Sequence, residues 1–97
     1  MPDQSRGPVA TEIVARLTTA FAPVRLVVTD DSARHHGHAG HDPRGESHFS
    51  VELVSTAFAG LGRVERQRMV NRALADLLAD RVHALTMTVR TPAEAGL

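Results

Sequence analysis

The segment SHFSVELVS, residues 47–55, alternates polar and apolar side chains along almost its whole length. Successive side chains of a β-strand point to opposite faces of the sheet, so Phe49, Val51 and Leu53 share one face. The opposite face carries His48, Ser50 and Glu52. The pattern predicts a β-strand whose apolar face covers the core and whose polar face points outward.

Segments on either side of this strand predict the other elements. VRLVVT, residues 24–29, is short and rich in β-branched residues, and VHALTMTVR, residues 82–90, alternates, so both are interpreted as strands. Apolar residues recur at helical spacing from Pro8 to Phe21 and again over residues 64–80, which predicts two helices, the second being the longest. Residues 55–62 are closed by glycines and predict a turn or a short helical piece.

The order of these elements limits the topology. The first two strands are joined directly and should pair antiparallel, whereas a helix separates the second strand from the third and favours a right-handed parallel crossover. We therefore expect an α+β domain, with helices covering one face of a three-stranded mixed sheet. Residues 8–97 should form this single domain, and residues 1–7 should form a flexible tail.

Composition excludes several classes of protein. The 97 residues contain eleven basic and eleven acidic side chains, so no overall charge attracts the chain to nucleic acid or to a membrane surface. The absence of cysteine excludes a disulfide framework and any thiolate ligand from this chain. No apolar stretch approaches the roughly 18 residues of a membrane span, and the N-terminus lacks the pattern of a secretory signal. These features predict a small cytoplasmic protein without a membrane contact.

The connection before the second strand is dense in histidine. Five of the six histidines lie within residues 30–49, namely His35, His36, His38, His41 and His48. A long, glycine-rich connection of this kind suggests metal contact, and the alternative is a solvated loop that binds metal only adventitiously. The sixth histidine, His83, lies at the start of the third strand. If that strand runs parallel to the second, His83 should lie beside this loop.

A hydrolytic site is disfavoured by strand geometry. Ser47 and His48, with Asp42 nearby, supply the residue types of a catalytic triad. Adjacent strand residues point to opposite faces, however, so Ser47 and His48 cannot readily form the hydrogen bond between nucleophile and base. We therefore expect a protein that is not an enzyme.

Several pieces of the chain resemble the BolA family, in the same order and over nearly the whole length. They are LVVTDDS at 26–32, HAGH at 38–41, GESHFSVELVS at 45–55, FAG at 58–60, RQRMVNRAL at 66–74 and VHAL at 82–85. The resemblance implies a fold similar to a class II KH domain, with the order helix-strand-strand-helix-helix-strand. It also implies a partner, a monothiol glutaredoxin with a Cys-Gly-Phe-Ser site.

In such pairs, the resemblance implies, a [2Fe-2S] cluster is shared between the glutaredoxin cysteine, glutathione and ligands of the BolA-like protein. The positions that match those ligands here are His83 and a loop histidine, either His35 or His38. The protein alone should be a monomer, and with its partner a heterodimer. These assignments are expectations from the resemblance.

The family also includes DNA-binding regulators of stress and morphology genes, which implies an alternative function. The basic residues that could contact phosphates are Arg63, Arg66, Arg68 and Arg72. Gln67 stands where the family usually has a histidine between two arginines, which weakens the DNA-binding interpretation. A solvated helix face is the alternative explanation of the same arginines.

Overall fold

The computed structural model describes residues 7–31 and 48–97. In chain order its elements are α1 (Pro8–Phe21), β1 (Arg25–Asp30), β2 (His48–Val54), a 3-10 turn (Thr56–Phe58), α2 (Arg63–Ala73), α3 (Ala75–Asp80) and β3 (Ala84–Arg90). Apart from the division of the helix predicted over residues 64–80 into α2 and α3, this is the predicted order of elements, and it forms an α+β fold. All but one residue of the predicted N-terminal tail lies outside the described residues.

The three strands form one sheet in the order β1-β2-β3. β1 pairs antiparallel with β2, and β2 pairs parallel with β3, as the connections predicted. The register places Val28 opposite Val51 and Val51 opposite Met87. Because β2 is the central strand, both of its edges are hydrogen-bonded, and its start is fixed relative to the start of β3 by seven paired positions, from His48–Ala84 to Val54–Arg90.

Helix α1 packs on the core through one apolar stripe. Pro8 occupies its first turn, where the missing N–H removes no intrahelical hydrogen bond. Its buried residues are Ala10, Ile13, Leu17 and Phe21, which recur at intervals of three or four, and Val9 beside Ala10. The helix ends at Ala22, whose backbone is left-handed (φ 44°, ψ 57°) and whose N–H donates to the Thr18 carbonyl. This is a helix-terminating geometry that glycine usually adopts.

The core lies between one face of the sheet and the helices. Phe49, Val51 and Leu53 are all at most 3% exposed, which confirms the predicted inward face of β2. The rings of Phe21 and Phe58 pack with centroids 4.8 Å apart and join the end of α1 to the 3-10 turn. The hydroxyl of buried Ser55 donates to the Phe21 carbonyl at 2.6 Å and accepts from the Ala57 N–H at 3.0 Å, so this polar group is satisfied.

The helix predicted over residues 64–80 is divided in the structure. α2 ends at Ala73, α3 begins at Ala75, and Leu74 between them has φ −110° and ψ 14°. Its N–H is shared between the carbonyls of Val70 and Asn71. Leu74 is 1% exposed, so core packing holds its side chain while its backbone leaves helical geometry. The expectation that this is the longest helix was therefore wrong, since α1 is longer than α2 within the described residues.

Candidate functional site

Two histidines meet at the end of the sheet where β2 and β3 begin. His48 is the first residue of β2 and is paired in register with Ala84, which directly follows His83. The two imidazole rings lie with centroids 6.3 Å apart and planes inclined by 17°. His83 is exposed and His48 is half-buried. The prediction that the parallel crossover brings His83 to the start of β2 is confirmed. We refer to His48 and His83 as the histidine pair.

Both ends of the histidine-rich connection lie at this pair. The N–H of Asp31 donates to the carbonyl of His48 at 2.7 Å, so the chain leaves β1 and returns to β2 at one point. The Ser50 hydroxyl also donates a hydrogen bond to the Asp31 carboxylate. These two contacts anchor the first residue after β1 to the central strand. Asp31 and His48, the described residues that flank positions 32–47, therefore lie together, with His48 beside His83.

The donor set of the pair suits a transition metal. Neutral imidazole nitrogen binds zinc, copper, iron and nickel, whereas calcium and magnesium prefer oxygen. Within residues 7–31 and 48–97, no group of three or more histidine, aspartate or glutamate side chains is arranged to hold a metal ion. Among the described residues, the pair is therefore two imidazoles with no third side chain arranged as a metal ligand.

The three predicted metal ligands differ in where they lie. His83 lies in the histidine pair, whereas His35 and His38 lie outside the described residues. His48 was not predicted as part of a metal site, because its strand pattern indicated only an outward-facing residue. The topology could have predicted this contact. β3 runs parallel to β2 and begins directly after His83, so the first residue of β2 lies beside His83.

The four predicted phosphate-contacting arginines also separate into two groups. Arg63, Arg68 and Arg72 are exposed, and none makes an ion pair with another described residue. Arg66 is only 13% exposed, and its Nη1 and Nη2 lie 2.6 and 3.1 Å from the Glu94 carboxylate oxygens. The same guanidinium donates to the carbonyls of Leu61 at 2.9 Å and Val89 at 3.2 Å. Arg66 therefore joins α2 to β3 and to the segment after β3.

Glu94 is held by hydrogen bonds from Arg66 and from the Thr91 N–H. The hydrogen bond from Arg66, followed by that from the Thr91 N–H, lowers the pKa of Glu94 from an ordinary 4.5 to about 2. The Glu94 N–H lies 3.3 Å from the Thr91 hydroxyl and donates to it. A threonine followed three residues later by glutamate is the signature of a reciprocal capping arrangement, here in residues 91–94. That signature was visible in the sequence, but its pairing with Arg66 was not.

None of the described helices is both long and apolar enough to cross a membrane.

Residues 17–94 match the family described as BolA-like protein. BolA-like protein 1 of Pongo abelii is 42% identical over 90 residues, covering 93% of this chain and 63% of that relative. The chain therefore spans less than two thirds of that relative's length.

Solved structures show the same likeness. The BolA domain of SufE1 from Arabidopsis thaliana is 40% identical with a TM-score of 0.83, and the match covers 93% of this chain and 99% of that one. BolA1 from Arabidopsis thaliana is 37% identical with a TM-score of 0.79, covering 96% of this chain and 98% of that one. By sequence and by fold, this chain belongs to the BolA family.

Proposed function

We propose that this protein is a non-enzymatic adaptor that shares a [2Fe-2S] cluster with a monothiol glutaredoxin and glutathione, in iron–sulfur cluster assembly, trafficking and iron regulation. The observation that carries the proposal is the position of His83. It lies exposed beside His48, at the point where both ends of the histidine-rich connection meet. A partner can reach a histidine that is exposed at a sheet edge, and loop histidines can join it there.

The ligand chemistry supports a shared cluster. Iron in such clusters is usually held by thiolates, and in Rieske centres two imidazoles replace two of them. This chain has no cysteine and six histidines, so it can supply imidazole ligands but no thiolate. His83 would hold the cluster from the described residues, and the thiolates would come from the glutaredoxin cysteine and glutathione. The cluster is then a cargo held between two proteins.

The second ligand from this chain is proposed to be His35 or His38. His35 follows Asp31 by four residues and His38 by seven, and an extended chain spans at most about 3.5 Å per residue. Both histidines are therefore tethered within reach of the histidine pair. Because they are close in sequence, we expect that either can take the place of the other.

The family model and the relative named BolA-like protein 1 indicate no enzymatic family. We propose a monomer that becomes a heterodimer with its partner, in the cytoplasm. Imidazole binds iron through an unprotonated nitrogen, so protons compete with the iron, and the shared cluster should be released more readily as the solution is acidified.

The proposal is tested by mixing the purified protein with cluster-loaded monothiol glutaredoxin. Exchange of a ligand on the iron changes the visible absorbance and circular dichroism of the cluster. We expect a new spectrum that saturates at one BolA-like protein per glutaredoxin, together with a complex on gel filtration. An unchanged spectrum and no complex would reject the proposal.

A DNA-binding regulator is the second candidate, favoured by the three exposed arginines of α2 that make no ion pair with described residues. Their guanidinium groups could contact phosphates. This candidate requires tight, sequence-dependent binding to duplex DNA at physiological salt. Weak binding that disappears as salt is raised would reflect charge alone and would reject it.

A further inference from the structure

A concave pocket of about 440 Å³ lies at the far end of the sheet from the histidine pair. It is formed by the start of α2, the second half of β3 and the segment that follows β3. The polar and charged residues that line it are Arg63, Arg66, Gln67, Thr88, Arg90 and Glu94. Its volume falls within the range of about 300–1,000 Å³ that is usual for small-molecule sites.

The charges in this pocket do not balance. Glu94 is the single acidic residue among its described lining residues, and its carboxylate is already occupied by the Arg66 guanidinium and the Thr91 N–H. Arg63 and Arg90 remain, and neither makes an ion pair or hydrogen bond with another described side chain. The pocket therefore has two unneutralised guanidinium groups, one on α2 and one on β3.

The Arg66–Glu94 pair gives the pocket a fixed side. Arg66 is bonded to backbone carbonyls on both sides of the pocket, at Leu61 before α2 and Val89 in β3. These contacts hold the α2 and β3 walls together, and with them the backbone positions of Arg63 and Arg90. An anion that enters would meet guanidinium groups on a preformed scaffold, which lowers the entropic cost of binding.

We propose that this pocket binds a small anionic molecule through a phosphate or carboxylate group held between Arg63 and Arg90. Guanidinium groups recognise both anions through paired N–H donors. The Gln67 amide and the Thr88 hydroxyl lie in the same lining and can donate to further oxygens of the ligand. The pocket has room for more than one phosphate group, so we expect the ligand to be an organic phosphate or an organic acid.

This site is distinct from the proposed cluster site and does not depend on it. Arg90 is the last residue of β3 and His83 precedes its first, so about 23 Å of chain separates them at about 3.3 Å per residue. It shares only Arg63 with the arginines of α2 that the DNA-binding candidate would use. Arg68 and Arg72 lie on the same helix as Arg63, but they do not line the pocket.

The test uses the full chain and amide NMR shifts at constant ionic strength. Glycerol phosphate and succinate are titrated separately as probes of the two anions, and the tighter probe identifies the preferred group. The pocket variant is Arg63→Gln with Arg90→Gln. The matched control is Arg68→Gln with Arg72→Gln, which removes the same charge from exposed positions outside the pocket.

We expect saturable shifts that cluster in residues 61–67 and 88–90. The pocket variant should lose at least about tenfold in affinity, because hydrogen bonds to charged groups are lost, and the control should bind as the wild type does. Both variants should fold, since all four arginines are exposed and lack ion pairs with described residues. Non-saturable shifts with both probes, or an equal loss in both variants, would overturn the proposal.

Discussion

Arg66 and Glu94 illustrate how one ion pair can organise a region of the molecule. The guanidinium is largely covered, and it reaches Leu61, Val89 and Glu94 at once. Glu94 in turn caps the turn that begins at Thr91. Two stretches that are distant in sequence, residues 61–66 and 89–94, are thus held together by one side chain, and loss of Glu94 should lower the free energy of unfolding of the domain.

The stability given by this pair should depend on pH. The contact with Arg66 lowers the pKa of Glu94 to about 2 in the folded protein, whereas the unfolded chain has the ordinary value of 4.5. The stabilisation is therefore complete above pH 4.5 and is lost as the pH falls through about 2. In urea unfolding, wild type should exceed Glu94→Gln in free energy of unfolding by a constant amount from pH 7 to pH 5. The difference should shrink towards pH 2.

A difference that stays constant down to pH 2 would contradict this assignment. Glu12→Gln is a suitable control, because Glu12 pairs with Arg16 within the exposed face of α1 at 3.0 Å. Exposed pairs of this kind contribute only about 0.3–0.5 kcal/mol. The control should therefore change stability little at neutral pH.

His48 is expected to act on the cluster site by positioning His83. Its ring lies nearly parallel to that of His83, with centroids 6.3 Å apart. Removing a residue that orients a metal ligand typically weakens metal binding by about 10–100-fold. His48→Ala should therefore weaken the cluster-bridged complex by about tenfold, measured by titrating cluster-loaded glutaredoxin and following visible circular dichroism. Far-UV circular dichroism should show an intact fold, since His48 lies at the end of a strand.

The variant His48→Phe separates positioning from ligation. Phenylalanine keeps a ring beside His83 but has no nitrogen, so it should restore most of the affinity if His48 acts through ring contact. A Phe variant as weak as the Ala variant would contradict the positioning role and would indicate that a nitrogen of His48 is required.

Among the elements, α1 ends at Ala22, which is the one non-glycine residue with a positive φ among the described residues. Ala22 adopts the left-handed conformation, which costs a residue with a Cβ roughly 1–2 kcal/mol and costs glycine little. Replacing Ala22 by glycine would remove this cost, but part of the gain in stability is offset by the greater freedom of glycine in the unfolded chain. Ala22→Gly should therefore raise the free energy of unfolding by about 0.5–1 kcal/mol in urea denaturation.

The matched control for this prediction is Ala20→Gly, an exposed position inside α1. Glycine in a helix interior is less favourable than alanine by about 0.8–1.0 kcal/mol, so the control should be destabilised. If both variants lose stability, the left-handed backbone at Ala22 does not carry the cost assigned to it.

The strands were the elements that the sequence predicted best. Alternation in residues 47–55 gave the inward face of β2, and the absence or presence of an intervening helix gave the antiparallel and parallel pairings. The division at Leu74 was not predictable, because Val70, Leu74, Leu77 and Leu78 continue one helical spacing without interruption. The spacing of apolar residues indicates which side chains are buried, whereas the backbone break at Leu74 depends on tertiary packing.

The candidate site was predicted only in part, because the sequence indicates topology but not side-chain placement. Topology placed His83 at the start of β2, since parallel strands begin at one end of a sheet. The contact of His83 with His48 and the fixed position of Arg66 depend on side-chain placement, which periodicity does not report. Arg66 appeared equivalent to Arg63, Arg68 and Arg72 in sequence, yet it alone among the four is paired within the described residues.

At the scale of the whole molecule, the two ends of the sheet carry different chemistry. One end presents imidazoles, His83 and His48, where β2 and β3 begin. The other end presents guanidinium groups, Arg63 and Arg90, around a concave pocket. The sheet between them is fixed by pairing along the full length of β2. A metal-bearing partner and a small anion could therefore bind at the same time without competing.

His83 is the proposed ligand through which this protein shares a [2Fe-2S] cluster. The most direct measurement is the visible circular dichroism of cluster-loaded monothiol glutaredoxin titrated with wild type and with His83→Ala. Single His35→Ala and His38→Ala variants, and the two combined, serve as comparisons. His83 is exposed, so its replacement should leave the fold intact. We expect wild type to give a new cluster spectrum, the single variants His35→Ala and His38→Ala to retain part of it, and His83→Ala to abolish it. A wild-type spectrum from folded His83→Ala protein would contradict the proposed role of His83.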